Sequence, residues 1–205
     1  LNLIMNKTTL RRLLLGDEAL AQGALDAGLS GAYAYPGTPS TEILEYIQAD
    51  KAAREAGVHS RWSTNEKTAV EEALGMSFCG KRAITSMKHV GLNVAADPFL
   101  NSAMTGANGG MIVVAADDPS MHSSQNEQDS RFYADFAYIP CLEPSTQQEA
   151  YDMPAYAYDL SEKFGIPVLM RMVTRMAHSR ANVDVAETRR PQNELHYPAP
   201  ERTRQ

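Results

Sequence analysis

Between Leu14 and about Ile166 the chain alternates short apolar runs with longer amphipathic stretches, and it does so without an internal repeat. The run GGMIVVAAD (109–117) is apolar on consecutive residues, which is how a strand reads when both of its faces are covered. Strands of that kind spaced by helix-length segments predict βαβ units: an α/β, doubly wound, mostly parallel sheet with helices on both faces. The expected strands are GAYAY (31–35), VHSRW (58–62), RAITSMK (82–88), GGMIVVAAD and IPVLMRM (166–172). The expected helices begin with DEALAQGALDAG (17–28), capped by Asp17, and a single long helix following the turn in PGTPSTEILEYIQADKAAREAG (36–57). Another opens just after VHSRW, one runs to Thr105 after a loop at HVGLNV, and one spans TQQEAYDMPAYAYDLSEKFG (146–165), where Pro154 predicts a kink or break.

With 205 residues, 43% of them hydrophobic and 21% charged, the chain fits one globular domain with a tail at most. The expected division is an N-terminal extension (1–13), the α/β domain (14–179) and a polar, proline-bearing tail or linker (180–205) leading toward a C-terminal part outside this chain. A net charge of −6 without a long Lys/Arg cluster argues against a nucleic-acid partner. No run of about 18 apolar residues predicts a membrane span, so a cytoplasmic location is expected. Cys79 and Cys141 lie far apart and cannot supply a CxxC zinc site or the four thiolates of an iron–sulfur cluster. Small apolar packing is their expected role.

On open parallel sheets, ligands bind beyond the carboxyl ends of the strands. Four segments stand at such ends: YPGTPS (35–40), STNE (63–66), MKHVGLN (87–93) and DDPSMHSSQNEQDSR (117–131). The second carries a carboxylate of interest. At roughly 100° per residue, Ala69, Val70, Ala73 and Ser77 share a helix face with Glu66, whereas Glu71 and Glu72 project from the opposite side and are expected to be solvated. Glu66 then heads a buried stripe at the functional edge, and also stands where a helix-start acid meets unpaired amides and the dipole. In YPGTPS, Thr38 and Ser40 offer hydroxyls at a helix start, a cradle for a carboxylate or phosphate as well as an ordinary turn. Lys88 and His89 stand directly at a strand end. Asp117, Asp118 and His122 lack a second histidine at ligand spacing, and Ser123 and Ser124 lack a nucleophile elbow, so no metal site and no serine hydrolase are expected there.

Taken together, YPGTPSTEI, WSTNEKTAVEEALG, MKHVGLNVAADPF and ADDPSMHSSQNEQDSRFYA resemble the pyrimidine-binding domain of the 2-oxoacid:ferredoxin oxidoreductases, thiamine-diphosphate enzymes, and in particular their indolepyruvate-type α subunits. The resemblance runs from about Leu14 to about Ser179. It implies that Glu66 is the catalytic glutamate, hydrogen-bonding N1′ of the cofactor's aminopyrimidine and favouring the imino form that takes the thiazolium C2 proton. Such a role asks for a carboxyl that holds or shares a proton near neutral pH, which partial burial favours. It further implies that Lys88, His89 and Asn93 line the cofactor pocket, and that Thr38, with Ser40 and His122, faces the substrate. Related pyruvate enzymes place a substrate-binding arginine near the end of the fourth strand; Asp117-Asp118 stand there instead, so anchoring of the substrate must differ.

The implied reaction is the oxidative decarboxylation of an arylpyruvate with coenzyme A and ferredoxin. The family holds the cofactor's diphosphate and Mg2+ in a second domain bearing a GDG motif, and carries [4Fe-4S] clusters in a further module. Neither motif occurs here. Those groups are expected in a diphosphate-binding domain or subunit that completes the site within a homo- or hetero-oligomer, and this chain alone is expected to be inactive. Two alternatives stay open: a small subunit of a non-oxidative, sulfopyruvate-type thiamine-diphosphate decarboxylase, and a non-catalytic module on the same fold.

Overall fold

The computed structural model describes residues 9–197. In chain order the elements are β1 (Thr9–Leu15), α1 (Gly16–Asp26), β2 (Gly31–Ala34), α2 (Thr41–Ala49), α3 (Lys51–Glu55), β3 (His59–Trp62), α4 (Glu66–Phe78), β4 (Ala83–Lys88) and α5 (His89–Val94). There follow α6 (Ala96–Thr105), β5 (Met111–Asp117), α7 (Arg131–Ala137), β6 (Cys141–Leu142), α8 (Gln147–Phe164), β7 (Val168–Val173), α9 (Thr174–Ala177) and β8 (Arg180–Ala186). Six strands form one sheet in the order β3-β2-β4-β5-β7-β6, with every pairing parallel. The expected doubly wound α/β class agrees with this sheet.

Strand pleating explains why consecutive apolar residues are needed. Side chains alternate between faces, so Ile112, Val114 and Ala116 of β5 enter one core with α1, α2 and α8, while Met111, Val113 and Ala115 enter the other with α4, α5 and α6. All seven residues of β5 are buried. On one face α1 lies so close to α8 that a Cβ at Gly23 would sit 2.1 Å from the Tyr151 carbonyl oxygen, which only glycine permits.

The strand order reverses once. From β2 the chain leaves over the first face through α2 to reach β3, then returns over the second face through α4 to β4 on the other side of β2. The carboxyl ends of β2 and β4 therefore flank a switch point, with helices departing on opposite faces.

Several expectations need correction. Asp17 is not a cap: Leu15 holds the N-cap position of α1, Glu18 reaches back to the Leu15 amide at 2.8 Å, and Asp17 is fully buried in the first turn. The long helix after the 35–40 turn breaks at Asp50, which is extended and restarts the chain as the N-cap of α3, accepting a hydrogen bond from the Ala53 amide at 2.7 Å. HVGLNV is the helix α5 instead of a loop, and α7 follows the 118–130 loop where no helix is expected. Pro154 does not interrupt α8, which runs unbroken through it while packed along α1. Glu72 is not simply solvated: Ser63 donates to it at 2.7 Å and Arg61 lies 3.6 Å away, whereas Glu71 is exposed.

Neither end is a free extension. Residues 9–15, partly assigned to an N-terminal extension, form β1, which pairs antiparallel with β8 from Thr9↔Ala186 to Leu15↔Arg180, so residues 180–186 of the expected tail are a strand. Residues 187–197 have no regular structure but are tied to the body at several points, among them Arg189 to Asp26 and Asp50 and the His196 amide to the Cys79 carbonyl. The rest of the expected extension and tail, 1–8 and 198–205, lies outside the described residues. Among the described residues no helix is long and apolar enough to cross a membrane. Cys141 packs against the second core, where burial pushes its thiol up to about 11; Cys79 belongs to neither core cluster.

Candidate active site

Asn65, just before α4, takes the capping position: it is extended, and its side-chain oxygen accepts the Thr68 amide at 2.9 Å. That frees Glu66, the first helical residue, from a capping role, while its charge still favours the positive helix end. The buried residues of α4 are Ala69, Val70, Ala73 and Ser77, the stripe that periodicity assigns to the face of Glu66. Glu66 itself is half-buried, and no described residue hydrogen-bonds to its carboxylate. It packs against Gly91 in α5. A Cβ on Gly91 would lie 2.6 Å from Glu66 Oε1, 2.7 Å from its Cγ and 2.9 Å from its Cδ. The carboxylate rests on bare backbone.

Gly91 belongs to the segment that starts at the end of β4. Lys88 ends that strand, half-buried, and its aliphatic stem crosses the 35–40 turn: a Cβ on Gly37 would meet Lys88 Cδ at 3.2 Å. The turn contains a cis Thr38–Pro39 peptide. It is closed from within, because the Ser40 hydroxyl donates to the Gly37 carbonyl at 2.8 Å and the Gly37 amide donates to Thr41 Oγ1 at 3.1 Å. Ser40 is thus buried and committed to the turn, whereas Thr38 is exposed. His89 is buried, with Nε2 3.2 Å from Asn126 Oδ1 and with Nδ1 enclosed without a partner. Asn93, one helical turn on, is exposed and accepts the Tyr133 hydroxyl at 2.6 Å.

The loop after β5 is anchored by the two aspartates. Asp117 accepts the amide and hydroxyl of Ser130 and the Arg171 guanidinium, whose Nε lies 2.6 Å away. Asp118 accepts the amides of His122 (3.1 Å) and Ser123 (2.7 Å) and the Thr174 hydroxyl (2.7 Å). Burial opposes the charge on Asp118, but these bonds prevail and hold its carboxyl well below the usual carboxylate range. The pair therefore shapes the loop. The guanidinium nearest this strand end, Arg171, is taken up by Asp117 and Glu143.

So tethered, the loop touches the two strand ends at the switch point: Ser123 Oγ lies 3.5 Å from the Thr38 carbonyl oxygen, and Asn126 meets His89. The structure thus brings Thr38, Lys88 and His89 together around the reversal of strand order, with Glu66 reached through Gly91. His122 falls outside this group; its side chain lines a cleft with Thr174, Arg175, His178 and Ser179. A second depression, walled by Gly23, Tyr151, Ala155 and Arg189, carries none of the strand-end residues, and its Asp26 is engaged by Gln22, Tyr151 and Arg189. Gly91 and Asn126 were not singled out by sequence. Gly91 lies in a segment expected to be a loop, where a glycine is unremarked; Asn126 has no local signal.

Residues 22–205 match the family model described as pyruvate flavodoxin/ferredoxin oxidoreductase, thiamine diP-bdg. The chain is 54% identical over 177 residues to the indolepyruvate oxidoreductase subunit IorA of Thermococcus kodakarensis, an alignment covering 86% of this chain and 27% of that one. It is 29% identical over 181 residues to the 2-oxoglutarate synthase subunit KorA of Methanothermobacter thermautotrophicus, covering 84% of this chain and 47% of that subunit. In fold it resembles a 2-oxoglutarate:ferredoxin oxidoreductase from Magnetococcus marinus, with a TM-score of 0.75 at 21% identity, over 86% of this chain and 32% of that one. The chain spans about a quarter of the length of its IorA relatives. With the matched region taking in both the reversal of strand order and Glu66, the chain belongs to the thiamine-diphosphate-binding pyruvate flavodoxin/ferredoxin oxidoreductase family.

Proposed function

We propose that this chain supplies the pyrimidine-binding half of a thiamine-diphosphate site in an enzyme that oxidatively decarboxylates arylpyruvates of the indolepyruvate kind. The overall reaction takes the 2-oxoacid, coenzyme A and oxidised ferredoxin to the arylacetyl-CoA, carbon dioxide and reduced ferredoxin. The observation that carries this reading is the Glu66 carboxylate, half-buried, without a protein donor and resting on Gly91 at the functional edge of the sheet. A carboxyl so placed fits an aminopyrimidine: an outside group can meet it, and no internal bond has to break first. The relative named as an indolepyruvate oxidoreductase subunit, at 54% identity, supports the aryl substrate.

The bound cofactor supplies the electron sink for decarboxylation. This chain's residues position it and handle its protons. Glu66 holds or shares a proton at N1′ of the aminopyrimidine. Gly91 lets α5 lie directly against the carboxylate. Lys88 and His89 line the pocket at the β4 end; the enclosed Nδ1 of His89 is a polar atom left for a ligand or water. Asn93 lies on α5 with His89, and Thr38 faces the 2-oxoacid across the switch point. The diphosphate, its Mg2+ and the [4Fe-4S] centres belong to a domain or subunit outside this chain, so the active form is an oligomer or a longer assembly, which we place in the cytoplasm.

The test is Glu66→Gln in the assembled enzyme. Loss of a positioned proton-transfer group typically costs about 10²–10⁴-fold, and turnover at the unaltered rate rejects the assignment. Tight calorimetric binding of thiamine diphosphate with Mg2+ to this chain alone rejects the half-site reading separately.

A further inference from the structure

Asp17, Glu42 and His178 come together from three parts of the chain: the first turn of α1, the first turn of α2 and the residue that ends α9. One ligand-type atom of each lies within 4.8 Å of those of the other two. His178 Nε2 is 3.4 Å from Glu42 Oε1. Asp17 is completely buried, yet neither carboxylate oxygen has a hydrogen-bond partner, and Glu42 Oε2 is enclosed without one as well.

Elsewhere this chain treats a buried acid differently. Asp26 receives Gln22, Tyr151 and Arg189; Asp117 receives Ser130 and Arg171; Asp118 receives two amides and the Thr174 hydroxyl. A buried carboxylate without a donor is costly unless it is neutralised or coordinates a cation. The backbone also holds Asp17 firmly, since a Cβ on Gly16 would lie 2.2 Å from the Met176 carbonyl oxygen, pressing the start of α1 against α9 two residues before His178.

We propose that Asp17, Glu42 and His178 form a site for one divalent transition cation of the Zn2+ class, held by carboxylate oxygens and one imidazole nitrogen, with a remaining position open to water. Two carboxylates match the charge of the ion, and the imidazole disfavours Mg2+ and Ca2+, which take oxygen donors. Metal–ligand distances of about 2.0–2.1 Å place tetrahedral donors roughly 3.4 Å apart. The His178–Glu42 pair already has that spacing, and side-chain adjustment brings in Asp17. His178 faces the cleft it shares with His122, Thr174, Arg175 and Ser179, which provides entry for the ion and room for its water. An ion there ties the start of α2, which continues directly from the 35–40 turn, to α1 and to the connection after β7.

The test uses the full 205-residue chain, stripped with a chelator and titrated with Zn2+ alone. Calorimetry should find one ion bound per chain, and Co2+ in its place should give a visible d–d absorption that depends on His178. His178→Gln and Glu42→Gln each weaken binding at least tenfold with the circular dichroism unchanged, and Asp17→Asn does the same where it folds. His196→Gln, a histidine outside the group, stays within twofold. Absence of saturable binding overturns the proposal, as does unaltered affinity in both His178→Gln and Glu42→Gln. An Asp17→Asn chain that melts higher without metal yet binds Zn2+ as before also overturns it, since a proton shared with Glu42 then accounts for the group.

Discussion

The two ends of β4 handle charge differently. At the amino end of β4, Arg82 donates to Glu162 through both Nε and Nη2, to Asp159 at 2.9 Å and to the Ala27 carbonyl at 2.7 Å. Asn193 and the Gly110 amide add to Glu162, and Arg190 adds to Asp159. At the carboxyl end of the same strand, Glu66 has no protein donor and one nitrogen of the buried His89 has no partner. Both ends hold charged and polar groups at a rim. Among the described residues the amino end leaves only the hydroxyls of Ser30 and Tyr158 without a partner, whereas the carboxyl end leaves a carboxylate and an imidazole nitrogen so, and such groups held in position by packing are what a ligand-binding edge requires.

This contrast can be broken by experiment. Arg82→Ala should have the largest effect, a loss of about 3 kcal/mol of stability in urea unfolding, at the lower end for a buried pair because Glu162 and Asp159 both reach water. An unchanged midpoint would mean that the amino-end network is decorative. Gly91→Ala should act on the other rim. The new methyl displaces a flexible side chain rather than backbone, so melting should hardly move, while the assembled enzyme loses on the order of 10²-fold in kcat, as for a catalytic group shifted by about 1 Å. Unfolding without a specific loss of activity would make Gly91 a packing residue only.

Ser40→Ala should cost about 1 kcal/mol, the net worth of one hydrogen bond, with little change in KM for the 2-oxoacid. A large KM effect would return Ser40 to the substrate side. The smallest effect concerns acid. The Arg189 guanidinium bonded to Asp50, against a smaller effect of burial, holds that carboxyl below its usual range. A depressed folded-state pKa gives stability that is present above the unfolded value, about 3.9, and is lost as pH falls through the folded one. The melting temperature should therefore decline below about pH 4, and less steeply in Arg189→Ala than in the unaltered chain. Parallel curves would show that the bond does not act through Asp50.

What sequence could reveal follows from the range of the interactions. The five expected strands and the Glu66 stripe were legible because they rest on short continuous apolar runs and on a period of 3.6 within a few residues. The break at Asp50 was not, since a single side chain restarts the helix in a stretch whose apolar pattern continues past it. The β1–β8 pairing joins Thr9 to Ala186 and leaves no mark that either segment carries alone. Residues 187–197 read as a tail because Arg189, Asn193 and His196 hold them by isolated contacts, without an apolar stripe. At the site, Glu66 announced itself by helical phase. The role of Gly91 did not, because it depends on what faces the missing side chain.

The reversal of strand order between β2 and β4 bears on how such a protein can change over time. An opening created by helices departing on opposite faces belongs to the winding of the chain and not to any side chain in it. Substitution can line, narrow or recharge that opening, but cannot relocate it without rewinding the sheet. Lineages with this fold are thus free to diversify what they bind while inheriting where they bind it.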